Sequence, residues 1–557
     1  MTERMRIGPV GVAAAVVYAN TLANGFVYDD GYYVLSNPRV TTASLTRLFQ
    51  PMSSNNMFRP VTFASWALDW AIQGARPFGY HLVNVLLHAV VALLLYCLLR
   101  KLLEKDPRVT SVAFAAALLF AVHAIHTEAV AWISGRSELL AAGFLLAAWL
   151  LHLQDHPVPS LVCLVLAMLS KESAVVFLPL VVVGDYALGK FKSLARYAWI
   201  SGVTVLYVAL LWKIQGSHFE KAAYSALDNP LANLPLNLRI LNALRVAWKY
   251  VGLQVYPATL SSDYSYNAIR LYADWKHVLP ASLATAAIVA LWVWAIWKKR
   301  SAWILAGAIY FLAFSVTSNI LVATGTIMGE RLAYLPSAGF CLLVALLWAR
   351  VETFDKKVAY SALAGIVLLL AVRTVIRNRD WQNNLTLYST AVAAVPQSAR
   401  AHGLLGQEYL RRGELDAARA QLQAAVAIFP DYTEAIENYA LAEARSGHDP
   451  EARRLLERAL LLTSKSDADY DYRALNLAAW LVQHGENSDA LNILNQVIAD
   501  SPGESRAWAN RAVLRYHSGE LALARADAAQ ALQLDPGNAQ AQNLLKELSN
   551  NATPLAR

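Results

Sequence analysis

The chain has 557 residues, of which 57% are hydrophobic and only 16% charged, whereas an average soluble domain carries about 25% charged residues. Its net charge of +8 does not indicate nucleic-acid binding, because many Lys and Arg residues lie in short connections between apolar segments. The composition therefore excludes a wholly soluble protein and indicates a membrane region, extending to about Arg377, followed by a soluble one.

About eleven apolar segments are candidate membrane spans, since a helix needs roughly 20 mainly apolar residues to cross a bilayer. They are 7–23, 81–103, 109–124, 129–152, 158–170, 174–189, 196–214, 278–297, 302–320, 333–350 and 358–375. The first has Arg4 and Arg6 before its apolar run, as a signal peptide does. We interpret it as an uncleaved span because further spans follow it. Segment 158–170 is short, which leaves open a re-entrant or tilted segment.

Lys and Arg in the short connections orient these spans. With the N-terminus in the cytoplasm, four basic connections lie on the cytoplasmic side: 100–108, 189–196, 298–300 and 355–357. The opposite connection, 122–128, has no Lys or Arg. This orientation predicts that residues 24–80, 215–277, 319–332 and everything after 376 lie outside the cytoplasm.

Beyond residue 398 the sequence repeats with a period of 34 residues, the period of tetratricopeptide repeats. Pro502 and Pro536 are one period apart, and small residues such as Gly406 and Ala418 stand where paired helices touch. The predicted fold class is all-α: a polytopic membrane helical bundle followed by an extracytoplasmic tetratricopeptide-repeat α-solenoid. The predicted domains are 1–376 (membrane), 377–398 (linker), 399–549 (repeats 399–432, 433–466, 471–504 and 505–538 plus a capping helix) and 550–557 (tail).

Ionisable residues near a membrane need partners or a function, because a charge in mid-span costs about 2.5–3.5 kcal/mol on insertion scales. Several polar residues stand at or near the predicted external ends of spans, and we predict that they converge on one cavity. They are Asp29, Asp30, Arg59, His81, Asn84, His88, His123, His126, Glu128, Arg136, Glu138, Lys171, Glu172, Glu330 and Arg331. The alternatives are a helix cap for the Asp pair, interface ion pairs for the Lys–Glu and Glu–Arg pairs, and packing for the histidines.

These residue types suit one kind of chemistry. A carboxylate can act as general base for a hydroxyl acceptor, cations can stabilise phosphate charge, and Tyr and Trp rings stack on sugars. A lipid-linked phosphosugar meets all three properties. A divalent metal on His123, His126 and Glu128 stays open by residue type, although their spacing is loose and no fourth ligand is evident.

Several segments occur in an order that carries a family resemblance: GFVYDDGYYVLSNPRV, FRPVTFASWALDW, FGYHLVNVLLHAVVALLLY, LFAVHAIHTEAVAWISGRSELLAA, LSKESAVVFLPL and GERLAYLPSAGF. Followed by tetratricopeptide repeats, they resemble the transmembrane and tetratricopeptide-repeat O-mannosyltransferase family and its bacterial relatives. These are membrane glycosyltransferases of the GT-C type.

The resemblance implies a polyprenyl- or dolichyl-phosphate-sugar donor and inverting transfer of mannose or another hexose to Ser or Thr hydroxyls of extracytoplasmic proteins. On the resemblance, Asp29 would be the base and Asp30 would orient the acceptor or the base. The sequence alone does not fix which of the two acids has which role. The donor-phosphate candidates are Arg59, Arg136, Lys171 and Arg331. The supporting candidates are His81, His123, His126, Glu128, Glu172 and Glu330. The repeats would bind the acceptor polypeptide.

The sequence departs from the family pattern in two places. Ala124 stands where the motif usually has proline, and the array has only about four repeats. The short array and the composition suggest a bacterial inner membrane, with an endoplasmic-reticulum membrane if the cell is eukaryotic. Two sequons, at Asn384 and Asn551, matter only in a eukaryotic cell.

Two other functions remain open. The same donor could serve a glycan or lipid acceptor, or the protein could be a non-catalytic membrane scaffold that displays its repeats. The acid pair favours an enzyme, since a scaffold has no need of two carboxylates beside cations and aromatics. A transporter is disfavoured because no two-fold repeat of broken helices is visible.

Overall fold

The computed structural model describes residues 4–42, 44–50, 57–215, 225–467 and 469–550. Within these ranges all regular structure is helical, so the predicted all-α class is confirmed. The chain divides into two compact units, 1–401 and 402–557. The predicted linker, 377–398, contains an eleven-residue helix and lies within the first unit.

The first unit holds the apolar helices. Among its described residues they begin with α1 (Arg4–Tyr18), α2 (Pro38–Thr41), α3 (Leu45–Leu48), α4 (Pro60–Gln73), α5 (Pro77–Leu102), α6 (Val109–Val122), α7 (Thr127–Ala131), α8 (Arg136–Leu153) and α9 (Pro157–Ser170). They continue with α10 (Phe177–Leu188), α11 (Leu194–Gln215), α12 (Leu236–Val255), α13 (Leu279–Trp297), α14 (Ser301–Ser315), α15 (Pro336–Phe354), α16 (Lys356–Asn378) and α17 (Asn384–Ala394).

The eleven predicted spans coincide with helices of unequal length. Among the described residues six helical segments are long and apolar enough to cross a bilayer: Pro77–Leu102, Ile133–Leu153, Leu194–Ile214, Leu279–Trp297, Pro336–Phe354 and Lys356–Trp381. A seventh is the pair Val109–Val122 and Ala124–Ala131, which bends by 50°. The apolar helices Ile7–Ala23, Pro157–Ser170 and Ser301–Ser315 have at most 17 residues. At 1.5 Å per residue they reach at most about 26 Å, short of the roughly 30 Å hydrocarbon core.

The burial of these helices supports a membrane setting. In the segment that contains α8, 72% of the most apolar window is buried within the protein, whereas the figure is 6% for α13. An apolar helix that the rest of the chain leaves uncovered needs a hydrocarbon environment. The protein is therefore a multi-pass membrane protein.

The core of the first unit lies around α6. This helix carries Ala113, Ala115, Ala116 and Ala117, all without exposed surface, and it packs against α1, α5 and α15. Small side chains let membrane helices approach closely, which is how such bundles gain packing energy when burial from water contributes little.

The repeats form helix pairs as the 34-residue period predicts. The pairs are α18 (Ala399–Arg412) with α19 (Leu415–Ile428), α20 (Thr433–Arg445) with α21 (Asp449–Leu461), α22 (Tyr470–Gln483) with α23 (Asn487–Asp500), and α24 (Ser505–His517) with α25 (Leu521–Leu534), followed by the capping helix α26 (Ala539–Asn550). Gly413, Gly447, Gly485 and Gly519 follow the first helix of each pair with φ between 78° and 81°. This left-handed conformation ends a helix at little cost only when the residue is glycine.

One close helix contact in the membrane region gives a stability test. A Cβ added at Gly339 of α15 would lie 2.5 Å from the Ala306 carbonyl oxygen and 2.5 Å from the Tyr310 nitrogen, both on the backbone of α14. We expect Gly339→Ala to lower the free energy of unfolding by about 1–3 kcal/mol, because two backbones must separate. Thermal unfolding of the detergent-solubilised protein measures this change.

Gly365→Ala is the matched control, because a Cβ added there on α16 meets nothing within 4 Å. We expect its melting temperature to match or slightly exceed that of wild type. Equal losses in both variants would show that the contact between α14 and α15 does not limit stability.

Candidate functional site

The loop that follows α1 carries the acid pair in an unusual backbone conformation. Tyr28 has φ of 55°, a left-handed value that is costly for a residue with a large side chain and that persists only when its surroundings hold it. Its N–H donates to Asn384 Oδ1 at 2.9 Å, and the Gly25 N–H donates to the Gln382 carbonyl at 3.0 Å. The segment after α16 thus fixes the loop just before Asp29.

Asp30 is fully buried, and both of its carboxylate oxygens accept hydrogen bonds. Its Oδ1 accepts from the N–H of Ser134 at 3.0 Å and from the Ser134 hydroxyl at 2.6 Å, while its Oδ2 accepts from the Val27 N–H at 3.1 Å. Burial raises the pKa of Asp30 to about 7, and the three hydrogen bonds act in the opposite direction. Asp30 therefore ties the loop to the turn before α8 and has little capacity left for a substrate.

Asp29 differs from its neighbour in both respects. It is partly exposed, and its carboxylate makes no hydrogen bond or ion pair to any residue within the described ranges. Burial of part of the group raises the pKa of Asp29, whereas the positive charges of Arg400 and Arg331 lower it. Of the two acids, Asp29 is the one whose carboxylate is not committed to hydrogen bonds within the described residues.

All four predicted cations lie in carboxylate pairs. Arg331 pairs with Glu128, which also accepts the Arg331 N–H at 2.8 Å. Lys171 pairs with Glu138. Arg59 makes two parallel hydrogen bonds, of 3.0 and 2.7 Å, to the carboxylate of Glu172. The Arg331 side chain keeps 25% of its surface exposed, and its guanidinium lies 5.3 Å from the ring centroid of Trp132.

The charges of several of these groups act on one another. The charge of Arg331 lowers the pKa of both Asp29 and Lys171. For Lys171 burial is the larger cause, and Arg59 adds to it. At Glu172 the Arg59 charge overcomes the effect of burial and lowers the pKa to about 2. Asp29, Arg331, Lys171 and Arg59 thus form a connected group, which we call the acid–cation cluster.

Arg136, the remaining predicted cation, is not part of the acid–cation cluster and has no exposed surface. It is fully buried, pairs with Asp69 at 2.5 Å, and donates to Asn84 Oδ1 and the Tyr80 carbonyl at 2.8 Å each. These partners join α4, α5 and α8 and occupy its guanidinium. Arg136 therefore braces the helices beneath the site and cannot reach a donor phosphate without losing them.

The histidines bond to separate partners. His123 Nε2 lies 2.8 Å from the Gln254 carbonyl, and His126 Nε2 lies 2.7 Å from Ser337 Oγ. His81 Nε2 is 3.4 Å from the Gly25 carbonyl, and His88 Nδ1 is 2.7 Å from the Tyr334 hydroxyl. Glu128 in turn is held by Arg331. His123, His126 and Glu128, the alternative metal ligands, therefore do not direct their ligand atoms at one point. Within the described ranges no three His, Cys, Asp or Glu residues are arranged to hold a metal ion.

Glu330 has a structural role, through hydrogen bonds to buried groups. It is fully buried, and its Oε1 accepts from the Ser261 N–H at 2.6 Å and the Tyr264 hydroxyl at 2.7 Å. Burial raises the pKa of Glu330 to about 7, and the Arg377 guanidinium, 3.6 Å away, acts to lower it. Glu330 thus joins the segment between α12 and α13 to the end of α16.

Sequence reasoning did not select Asn384, Arg400 or Asp228. Arg400 forms an ion pair with Asp228, which lies between α11 and α12, and the Ala399 N–H donates to the Tyr266 carbonyl at 2.6 Å. The sequence signal that could have identified the segment after α16 is its large apolar residues. Its Trp381, Leu387 and Tyr388 are buried, which an exposed linker would not require.

These features define a class of protein. It is a multi-pass membrane protein with an acid–cation cluster at one end of its helical bundle and helix-pair repeats in its second unit. A family model described as tetratricopeptide repeat matches residues 369–433, 404–471 and 475–539, which confirms the repeats.

Curated relatives extend this likeness to the membrane region. Protein O-mannosyl-transferase F38B6.6 of Caenorhabditis elegans is 30% identical over 75% of this chain and 62% of its own length. Protein O-mannosyl-transferase TMTC3 of Mus musculus is 28% identical over 95% of this chain and 64% of its own length. The resemblance to the transmembrane and tetratricopeptide-repeat O-mannosyltransferases is thus confirmed. The chain spans slightly less than two thirds of the length of these relatives.

Among solved structures, the tetratricopeptide-repeat protein YrrB aligns with 36% of this chain and 97% of its own. The sequence identity is 18% and the TM-score 0.26.

The different bonding of the two acids gives a stability test. Asp30→Ala leaves three buried donors without an acceptor, so we expect the free energy of unfolding to fall by about 2–4 kcal/mol. Burial raises the pKa of Asp30 above its unfolded value, so its contribution is largest below pH 4 and declines as pH rises towards 7. Denaturation in detergent at pH 5.5 and pH 8 should show the larger loss at pH 5.5.

Asp29→Ala is the matched control. Its side chain has no hydrogen-bonding partner among the described residues, so we expect no loss of stability beyond about 0.5 kcal/mol at pH 5.5. At pH 8 we expect no loss either, and a gain if anything, because burial raises the pKa of Asp29 and its ionised form opposes folding there. A loss at Asp29 as large as that at Asp30 would contradict the assigned roles.

Proposed function

We propose that this protein is a membrane glycosyltransferase that moves mannose from a polyprenyl-phosphate donor to Ser or Thr hydroxyls of extracytoplasmic polypeptides. The observation that carries the proposal is the partly exposed carboxylate of Asp29, which makes no hydrogen bond to the described residues and lies under the influence of the Arg331 and Arg400 charges. The sugar and the protein acceptor come from the names of the relatives. The lipid donor comes from the family resemblance and from the position of the cluster at the end of apolar helices.

Asp29 acts as the general base in this proposal. It takes the proton from the acceptor hydroxyl as the hydroxyl oxygen bonds to the anomeric carbon of the sugar. The bond between that carbon and the donor phosphate oxygen breaks, and the phosphate leaves on its lipid with the bonding electron pair. Attack opposite the leaving phosphate inverts the configuration at the anomeric carbon.

Arg331 and Lys171 stabilise the charge that develops on the leaving phosphate. Their partners Glu128 and Glu138 fix the two side chains before substrate arrives, so little reorganisation is required. Arg331 has the more exposed side chain of the two and would contact the phosphate first. Arg59, held by Glu172, adds positive charge beside Lys171.

Asp30 is a positioning residue in this scheme. It holds the loop to Ser134 and leaves Asp29 as the acid that meets the acceptor. The bilayer delivers the donor laterally to the cluster on the extracytoplasmic side, and the repeats recruit the acceptor polypeptide. The membrane is that of the endoplasmic reticulum in a eukaryotic cell or the inner membrane in a bacterium.

Sugar transfer by the purified protein tests the proposal. We expect radiolabelled mannose to move from a polyprenyl-phosphate donor to a Ser/Thr-rich peptide. Asp29→Asn should reduce kcat by about 100- to 10,000-fold, the usual contribution of a general base, while donor binding stays near wild type. Transfer to glycans or lipids but not to peptide would contradict the acceptor assignment. Undiminished transfer by Asp29→Asn would contradict the base assignment.

The positive charge of Arg400 acts on Asp29, so its removal should change how kcat/KM depends on pH. Arg400 lowers the pKa of Asp29, so Arg400→Gln raises that pKa. The acidic limb of the kcat/KM profile should then move to higher pH, because Asp29 must be ionised to accept a proton. Initial transfer rates between pH 4.5 and 8.5 measure this shift.

Arg47→Gln is the control, since it removes an exposed positive charge from α3, which follows Asp29 in the chain. Its profile should match wild type. An acidic limb that moves to lower pH in Arg400→Gln, or one that moves equally in both variants, would contradict the role of Arg400.

A further inference from the structure

Three basic side chains surround the ring of Tyr272, which lies between α12 and α13. The guanidinium carbon of Arg245 lies 4.2 Å from the ring centroid, and that of Arg270 lies 5.3 Å from it. The His277 ring stacks on Tyr272, with centroids 4.4 Å apart and planes at 16°. An aromatic ring attracts cations to its face, so Tyr272 holds two guanidinium groups close together. We call these four residues the arginine–tyrosine cluster.

Bonds to α12 fix the segment that carries the ring. Asn242 of α12 is buried, and its Oδ1 accepts from the Tyr272 N–H at 3.0 Å. Its Nδ2 donates to the Tyr272 carbonyl at 2.9 Å. Arg245, also on α12, donates to the Arg270 carbonyl at 2.9 Å. The ring and the two guanidinium groups are therefore held in place by the fold.

The two arginines differ from the cations of the acid–cation cluster because neither has a carboxylate partner. Within the described residues Arg245 and Arg270 form no ion pair. One acid, Asp274, does touch the cluster, but its carboxylate lies 2.8 Å from Nδ1 of His277. Lys276, exposed on the same turn, adds a further positive charge. Guanidinium groups that share a ring and lack an acid suit an anion from outside, and phosphate oxygens fit their donors best.

The position of the cluster in the chain places it at a membrane surface. α13 begins at Leu279, two residues after His277, and only 6% of its most apolar window is buried within the protein. Trp275 is 61% exposed, and Trp is enriched where a span enters the headgroup region. Trp248 of α12 donates from Nε1 to the Ala281 carbonyl at 3.0 Å, which ties α12 to the first turn of α13. The cluster therefore lies at the level of the lipid headgroups.

We propose that Arg245 and Arg270, held on Tyr272, bind the headgroup phosphate of an anionic phospholipid in the leaflet where α13 begins. Lys276 adds attraction for the negative headgroup. A zwitterionic headgroup binds less tightly, because its own ammonium group meets the positive charges of the cluster. By the predicted orientation this leaflet faces away from the cytoplasm. The proposal rests on the membrane setting of α13 and is independent of the proposed sugar transfer.

Native mass spectrometry of the delipidated full-length protein in detergent measures this binding. The probes are phosphatidylglycerol, which is anionic, and phosphatidylcholine with the same acyl chains, each titrated alone. We expect the first phosphatidylglycerol to bind wild type with a Kd about fivefold or more below that of phosphatidylcholine, since each Lys or Arg at a membrane surface adds attraction for anionic lipid. Equal Kd values for the two lipids would overturn the proposal.

A double variant tests the two arginines directly. We expect R245Q/R270Q to weaken binding of phosphatidylglycerol about tenfold or more, at a melting temperature near that of the wild type without added lipid. The matched control R47Q/R76Q removes two exposed arginines from outside the cluster, and Arg76 directly precedes the apolar helix α5. The control should bind phosphatidylglycerol as wild type does. Wild-type affinity in R245Q/R270Q, or equal losses in both double variants, would overturn the proposal.

A third titration, with polyprenyl phosphate, separates this site from a donor site. We expect R245Q/R270Q to bind polyprenyl phosphate within about twofold of wild type, because the acid–cation cluster is intact. A tenfold loss for polyprenyl phosphate with no loss for phosphatidylglycerol would assign the arginines to the donor and overturn the proposal. Phosphatidylglycerol binding that depends on the arginines, in a protein that transfers no sugar, would contradict the proposed function and support this site.

Discussion

The candidate site depends on the burial of one carboxylate. Asp30 accepts hydrogen bonds from Ser134 and Val27 in a region with no exposed surface. Three donors directed at one buried acid fix the loop that carries it. Because adjacent side chains of an irregular loop point in different directions, fixing Asp30 inward leaves Asp29 partly exposed. The division of roles between the two acids follows from this one set of bonds.

The cations around Asp29 are held by a similar principle. Arg331, Lys171 and Arg59 each have a carboxylate partner, so the site is near electrical balance before a substrate enters. Burying paired charges is costly and adds little to stability by itself. Its benefit is preorganisation: the positive groups already stand in place when a phosphate arrives, and they need not be desolvated at the moment of reaction.

The sequence predicts the parts of this structure that periodicity controls. The apolar segments coincide with helices, and the repeats follow the 34-residue period closely enough to place Gly413 and Gly519 at equivalent turns. Span count was less well predicted, because apolar composition marks a helix but not its length. The helices Pro157–Ser170 and Ser301–Ser315 are too short to cross the bilayer unaided.

The sequence indicated candidate residues by type but could not give their bonding partners. The sequence selected Asp29, Asp30, Lys171 and Arg331, yet it could not separate the partly exposed acid from the buried one. It could not separate Arg136 from the accessible cations either, because burial and bonding depend on tertiary contacts. Asn384 and Arg400 lie more than 350 residues from Tyr28 and Asp29 in the chain, and no local pattern links such distant positions.

The most direct measurement is an experimental structure of the protein with a non-hydrolysable donor analogue and an acceptor peptide bound. We expect the acceptor hydroxyl oxygen to lie about 2.6–3.2 Å from a carboxylate oxygen of Asp29, within general-base reach, with the donor phosphate against Arg331 and Lys171 and Asp30 still bonded to Ser134. A hydroxyl bound at Asp30 or at another carboxylate, with Asp29 turned away from the acceptor, would contradict the assignment of the base.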